Sequence, residues 1–162
     1  MCELARDAAS LLVSIVTIVI GSFLALRQYR IQRRWDARHS AYQEILSDVS
    51  AIRAWANENY ANELCLPSAS SDQLVQLSKQ FELARARLWQ HVNVGELTIS
   101  QDSVTALRGL MEEIESERFN FGEQGIDDSN SVEAISTHCE KIRSIIDNSL
   151  PPFLRLAKND LK

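Results

Sequence analysis

The groups in this chain that could carry chemistry are its histidines, cysteines and clustered carboxylates. The histidines fall on three different predicted helices, and none has a Glu three residues before it, the spacing that di-iron bundle proteins use. The cysteines are odd in number and widely spaced, with no CxxC or Cys/His pattern of a zinc site. These residues are His39, His91 and His138, and Cys2, Cys65 and Cys139. We therefore expect no catalytic residue, no cofactor and no metal ligand among them.

A run of acidic residues at 112–117 is the remaining candidate for a metal site. Glu113 and Glu117 share one helix face at i,i+4 spacing, but no histidine accompanies them in the sequence. Because charge runs on helices are usually exposed, we interpret Glu112, Glu113, Glu115 and Glu117 as a solvated helix face. No Gly-rich phosphate loop, G-x-S-x-G or H-E-x-x-H motif occurs, so the sequence predicts a non-enzymatic protein.

Composition and charge narrow the class of protein. Among 162 residues there are only 5 Gly and 3 Pro, which disfavours a β-sandwich or barrel with many tight turns and favours long helices. The net charge is −5, and an acidic chain disfavours nucleic-acid binding. The charge is uneven, because residues 39–162 carry 11 basic and 19 acidic side chains, a balance of −8.

The segment 8–26 reads AASLLVSIVTIVIGSFLAL and contains no charged residue. Nineteen helical residues at about 1.5 Å each span roughly 28 Å, close to the ~30 Å hydrocarbon core of a bilayer. A cleaved signal peptide is disfavoured because residues 1–7 sum to −1 and no A-x-A pattern follows. A buried core helix is disfavoured because the rest of the chain is not apolar enough to surround it. The segment therefore predicts a transmembrane helix.

The flanks of this segment predict its orientation. Five arginines follow it and one precedes it, and the positive-inside rule places the richer flank in the cytoplasm. We expect a short extracytoplasmic tail at 1–7, a single span at 8–26, a basic juxtamembrane collar at 27–38 and a cytoplasmic domain at 39–162. The expected location is the bacterial inner membrane.

Small residues form one stripe along the predicted span, at helical spacings of 4, 3, 4 and 4. This stripe comprises Ser10, Ser14, Thr17, Gly21 and Ala25. Small residues at such spacing let two helices approach closely in lipid, so the stripe predicts a homo-oligomer formed through the membrane helix. It could also arise by chance, because small residues are common in spans. A polar pore lining has less support, since the stripe offers two serines and a threonine but no charge.

The basic collar consists of Arg27, Arg30, Arg33, Arg34 and Arg38. Arginines at this depth attract anionic lipid, and Tyr29 and Trp35 among them suit the headgroup zone. The same arginines could act only as a topology signal.

Apolar residues recur every three or four positions beyond the collar, which predicts helices. The first ends near 64–67, where Pro67 disfavours a helical residue before it. The second runs from Ser71 or Asp72, either a suitable N-cap, to Gly95. The third runs from Ser100 to breaks at 120–122 and Gly125. The fourth begins near 129–131, with Asn130 as a cap, and Pro151 and Pro152 kink or stop it. Short loops favour an antiparallel up-down bundle of about four helices, so the fold class is all-α with one membrane span.

Three segments carry a resemblance to a known group of proteins. They are WDARHSAYQEIL at 35–46, GELTIS at 95–100 and LAKNDL at 156–161. The chain resembles a family of small, uncharacterised bacterial proteins that share a W-x-x-R-x-x-A-Y opening, a G-x-x-x-I-S segment and an A-K-x-D-L ending. The resemblance implies a membrane-tethered helical bundle and carries over no activity.

These observations favour a membrane-anchored scaffold or interaction module that self-associates, binds a protein partner and contacts anionic lipid with its collar. The alternative is a membrane-perturbing effector, such as an oligomeric phage-defence or toxin-like protein, which would use the same span and collar.

Overall fold

The computed structural model describes residues 2–66, 69–123 and 131–161, with the side chains of 2–17 and 96 left out of the description. In these ranges the chain forms four α-helices and one 3-10 turn. The helices are α1 at Cys2–Glu63, α2 at Ser71–Val94, α3 at Gln101–Glu123 and α4 at Ser131–Asp160, and the 3-10 turn is Gly95–Leu97. The chain divides into two compact units, Met1–Ala37 and Arg38–Lys162.

The prediction of a transmembrane helix at 8–26 is contradicted. Among the described residues, no helix combines the length and the apolar character that crossing a membrane requires. Residues 8–17, and the predicted tail at 1–7, lie outside the residues whose side chains are described.

The predicted antiparallel bundle of about four helices is confirmed in the second unit. Asp48 of α1 pairs with Arg87 of α2, while Trp55 lies against Phe81, so rising numbers on α1 meet falling numbers on α2. The same inverse order relates α2 to α3 and α3 to α4, and it also relates α1 to α4. The helices therefore alternate in direction, and α1 touches both α2 and α4.

The core of the bundle comes from the apolar stripes that the sequence analysis identified. Each helix turns its apolar stripe toward the centre of the bundle, because burial removes apolar surface from water. The fully enclosed side chains include Ile45 and Ile52 of α1, Leu88 of α2, Leu107, Met111 and Ile114 of α3, and Ile142 and Ile146 of α4.

Helix α1 ends as predicted, but its last turn needs an uncommon backbone conformation. Cys65 has a φ of 54°, in the left-handed region that usually takes glycine at this position. The N–H of Leu66 donates to Ala61 O at 2.9 Å, and the N–H of Cys65 donates to Asn62 O at 3.1 Å. These two bonds form a Schellman motif, which satisfies carbonyls that the helix end would otherwise leave unpaired.

The predicted stop at Pro151 and Pro152 is wrong, because α4 continues through both residues to Asp160. Helix α3 extends past 120–122 to Glu123, and Gly125, the other predicted breaker, lies outside the described residues. Both segments lie next to buried residues, among them Phe153 and Ala157 on α4. Tertiary packing of these faces outweighs the local cost of the breaker residues. The predicted cap Asn130 lies outside the described residues.

Two other helix ends differ from their expected chemistry. The N-cap of α2 is Ser70, whose N–H donates to Gln73 Oε1 at 2.9 Å. Gly95 ends α2 as expected, but with a φ of −63°, so a left-handed turn is not the reason for glycine there. A Cβ at Gly95 would lie 3.2 Å from Val104 Cγ2, so a larger residue there would require the buried Val104 side chain to shift.

Candidate functional site

The exposed part of α1 in the first unit is the most distinctive surface of the molecule. Every side chain from 18 to 38 is exposed. Nine large apolar side chains in this stretch are 47–67% exposed: Ile18, Val19, Ile20, Phe23, Leu24, Leu26, Tyr29, Ile31 and Trp35. Exposed apolar surface of this extent marks a site of contact with a partner or a membrane.

Four of the predicted collar arginines lie on the same exposed stretch. Six side chains at helical spacing line one shallow hollow there: Phe23, Leu26, Arg27, Arg30, Ile31 and Arg34. The Arg33 guanidinium lies 5.7 Å from the centre of the Tyr29 ring, which holds the aromatic side chain and the charge together. We call residues 18–34 the collar helix, because this one helical stretch carries both exposed apolar side chains and exposed arginines.

Arg38, the fifth collar residue, occupies a different environment. It belongs to the second unit, and its Nη1 lies 3.5 Å from the carbonyl oxygen of Asp160. Arg38 therefore links α1 to the C-terminal end of α4.

The predicted association stripe is only partly described. The side chains of Ser10, Ser14 and Thr17 lie outside the described residues. Gly21 and Ala25 are exposed, and a Cβ added at Gly21 would meet no atom within 4 Å. Self-association through this stripe stays a prediction.

Glu117 corrects the interpretation of 112–117 as a wholly solvated face. Glu112 and Glu113 are exposed, but Glu117 is buried and its Oε1 lies 3.3 Å from Nδ1 of His138. Its Oε2 lies 3.4 Å from Lys141 Nζ. A histidine does accompany the acidic run, on α4 rather than in the same helix.

The burial of this pair had a signal in the sequence. Glu117 follows Ile114 by three positions and Leu110 by seven, and His138 follows Ile135 by three. Both residues therefore extend the apolar stripes of their helices. Burial lowers the pKa of His138, and the hydrogen bond with Glu117 offsets only part of that effect, so the imidazole is held neutral.

A cleft of about 400 Å³ opens beside this pair and draws side chains from all four helices. Trp55 of α1 and Phe81 of α2 form one aromatic pair, with ring centres 4.4 Å apart. Phe121 of α3 stacks on His138 of α4 at 4.2 Å. We call this the aromatic cleft. Sequence reasoning missed it, because its rings come from segments far apart in the chain.

A second buried cluster joins the three segments that carry the family resemblance. The Tyr42 hydroxyl donates to Asp160 Oδ2 and lies 2.8 Å from Ser103 Oγ. The N–H of Ser100 donates to the same Asp160 oxygen at 2.9 Å, which places a carboxylate at the N-terminus of α3, where the helix dipole favours it. The motifs at 35–46, 95–100 and 156–161 thus meet at one point of the bundle.

The electrostatics of this second cluster are those of a structural carboxylate. Burial alone would raise the pKa of Asp160, but hydrogen bonds from Tyr42 and Ser100, with the charge of Arg38, outweigh it and bring that pKa below its ordinary value. Burial raises the pKa of Tyr42, as does its hydrogen bond to Asp160. Ser103 is fully buried, so its hydroxyl is inaccessible to a substrate.

Neither cluster has the composition of a metal centre or a thiol nucleophile. Within the described ranges, no group of three His, Cys, Asp or Glu side chains could hold a metal ion. Burial raises the pKa of Cys139, which borders the aromatic cleft, to about 11. A thiol with that pKa is almost entirely protonated at neutral pH and is a poor nucleophile.

The chain matches no protein-family model, and neither curated proteins nor solved structures give a match.

Proposed function

We propose that the protein is a non-enzymatic interaction module that binds the anionic surface of the bacterial inner membrane through its collar helix and offers its helical bundle to a protein partner. The observation that carries this proposal is the combination, on residues 18–34, of exposed apolar side chains with four exposed arginines.

The apolar part of the collar helix supports a lipid surface as its ligand. Phe23, Leu26 and Ile31 lie on the face that also carries Arg27 and Arg30. At a lipid surface the apolar side chains can insert between headgroups while the long basic side chains reach the phosphates. A purely aqueous anion, such as a free nucleotide, would leave the apolar side chains in water.

The distribution of charge along the chain supports an anionic surface as the ligand of the collar helix. Residues 27–34 carry four arginines and no acid, whereas residues 39–162 have a balance of −8. Each basic residue near an anionic leaflet contributes about 1 kcal/mol of attraction. The acidic bundle is repelled by the same leaflet, which leaves its surface available to a partner in solution.

The test is flotation of the full chain with vesicles after cell-free synthesis in their presence. We expect the protein to float with vesicles containing phosphatidylglycerol. Changing Arg27, Arg30 and Arg34 to Gln removes about 3 kcal/mol, and so weakens partitioning about 100-fold. The matched control changes Lys79, Arg108 and Arg155 to Gln; these exposed bundle residues alter the net charge equally and should leave flotation unchanged.

Three other outcomes would redirect the proposal. Equal flotation with pure phosphatidylcholine vesicles would rule out the charge argument. Crosslinked oligomers that stay at the bottom of the gradient would identify a second copy as the ligand of the collar helix. Release of dye from vesicles at low protein-to-lipid ratios would favour a membrane-perturbing effector.

A further inference from the structure

We propose that the aromatic cleft is a binding site for a small, neutral, planar heteroaromatic molecule that bears an N–H group. This site lies within the second unit and is independent of membrane binding by the collar helix. Its volume of about 400 Å³ is within the ~300–1,000 Å³ of small-molecule sites.

The walls of the cleft are aromatic and held in position. Trp55 Nε1 donates to Ser78 Oγ at 3.3 Å, and the Trp55 ring packs against Phe81. On the opposite helices, Phe121 stacks on His138 with an angle of 19° between the rings. Fixed rings offer stacking and edge contacts to a flat ligand without the loss of side-chain entropy that ordering them would cost.

The polar groups that line the aromatic cleft favour a ligand that donates a hydrogen bond. Glu117 is an acceptor, with Lys141 beside its second oxygen, so His138 donates its Nδ1 hydrogen to it. In a neutral imidazole, Nε2 is then the acceptor. A ring N–H on the ligand matches that acceptor, whereas an N-methylated ring does not.

The charges at the cleft select against an anion. Arg118 borders the cleft, but its guanidinium is paired with Glu82 Oε1 at 2.9 Å and with Glu115 Oε2 at 3.5 Å, and it lies 5.3 Å from the Phe81 ring centre. The charge of Arg118 is thus already paired, and its guanidinium already lies over the Phe81 ring. A neutral ring gains stacking without disrupting these pairs.

The experiment measures indole binding to the full chain in detergent by saturation-transfer NMR. We expect saturable binding of indole and about tenfold weaker binding of 1-methylindole, because the methylated ring leaves the histidine acceptor unpaired. Changing His138 to Phe should weaken indole binding and abolish the difference between the two probes.

A cleft-filling variant tests the location. Ile135→Trp places a ring in the cleft and should weaken indole binding about tenfold, a loss of roughly 1.4 kcal/mol. Val132→Trp adds the same ring at a position on α4 that is 51% exposed, and should bind indole as the wild type does. Because both variants share one detergent, partitioning of indole into micelles cancels.

The proposal would be overturned by equal binding of the two probes to the wild type, or by undiminished binding to a folded Ile135→Trp. Circular dichroism shows whether that variant folds. If it does not, the comparison of probes on the wild-type protein still decides.

Discussion

At the scale of single residues, the pair of Glu117 and His138 shows how position determines chemistry. Each side chain is ionisable and would be solvated on an isolated helix. In the bundle, each is placed within an apolar stripe, where burial penalises charge. The hydrogen bond between them, with Lys141 beside the carboxylate, lets both remain buried.

This pair predicts an effect of pH on stability. The folded-state pKa of His138 lies below its unfolded value near 6.5, so below that pH the unfolded chain binds more protons and stability falls as pH falls. We expect the urea midpoint of the wild type to drop between about pH 7.5 and pH 5.5. His138→Gln should show a smaller drop. An identical pH dependence in the two proteins would contradict the assignment.

At the scale of elements, the C-terminal end of α1 has a cysteine, Cys65, at a position where glycine is usual. The Schellman bonds at 61–66 need a left-handed residue at 65. A side chain there costs about 1–2 kcal/mol relative to glycine, although glycine loses more entropy on folding. The hydrogen-bonding pattern of the helix end, rather than the preference of cysteine, determines the conformation.

We therefore expect Cys65→Gly to stabilise the protein by about 0.5–1 kcal/mol, because it relieves the left-handed strain. Ala86→Gly is the matched control, at an exposed position in the interior of α2, and should destabilise by about 1 kcal/mol. Urea unfolding followed by circular dichroism measures both. Destabilisation by Cys65→Gly comparable to that of the control would show that residue 65 is not held in the left-handed region.

At the scale of the whole molecule, the cluster around Asp160 closes the bundle. One carboxylate at the end of α4 accepts hydrogen bonds from α1 and from the start of α3. Three helix segments far apart in sequence are thereby joined at one end of the bundle. The three motif segments meet at this cluster because its hydrogen bonds hold the helices together. This structural role accounts for the cluster without a reaction.

We expect Asp160→Asn to lower the free energy of unfolding by about 1–2 kcal/mol at pH 7, the range for hydrogen bonds to a charged group in a partly solvated site. The ionised carboxylate stabilises the fold above its unfolded pKa near 3.8, and this contribution is lost as pH falls through its lower folded pKa. The difference in stability between the two proteins should therefore shrink as pH falls below about 3.8. Asp36→Asn, in the first unit, is the control and should have no effect; an unchanged difference in acid would contradict the role of the charge.

The family resemblance, the interaction function and the location at the inner membrane stay predictions, and the vesicle experiment addresses the last two. The transmembrane helix predicted at 8–26 is contradicted, because no helix among the described residues is long and apolar enough to cross a membrane.

The amino-acid sequence was sufficient to predict the helical class, the inward stripes and most helix ends, because these depend on spacings of three and four residues and on local chemistry such as Pro67 and Ser100. Tertiary packing was needed to establish that α4 continues through Pro151 and Pro152, that Glu117 meets His138, and that Tyr42, Ser100 and Asp160 share one cluster. Each of these depends on packing between helices, whose contacts join residues 21 to 118 positions apart. No periodicity along the chain encodes which buried polar groups face each other, since that depends on the register in which the helices pack.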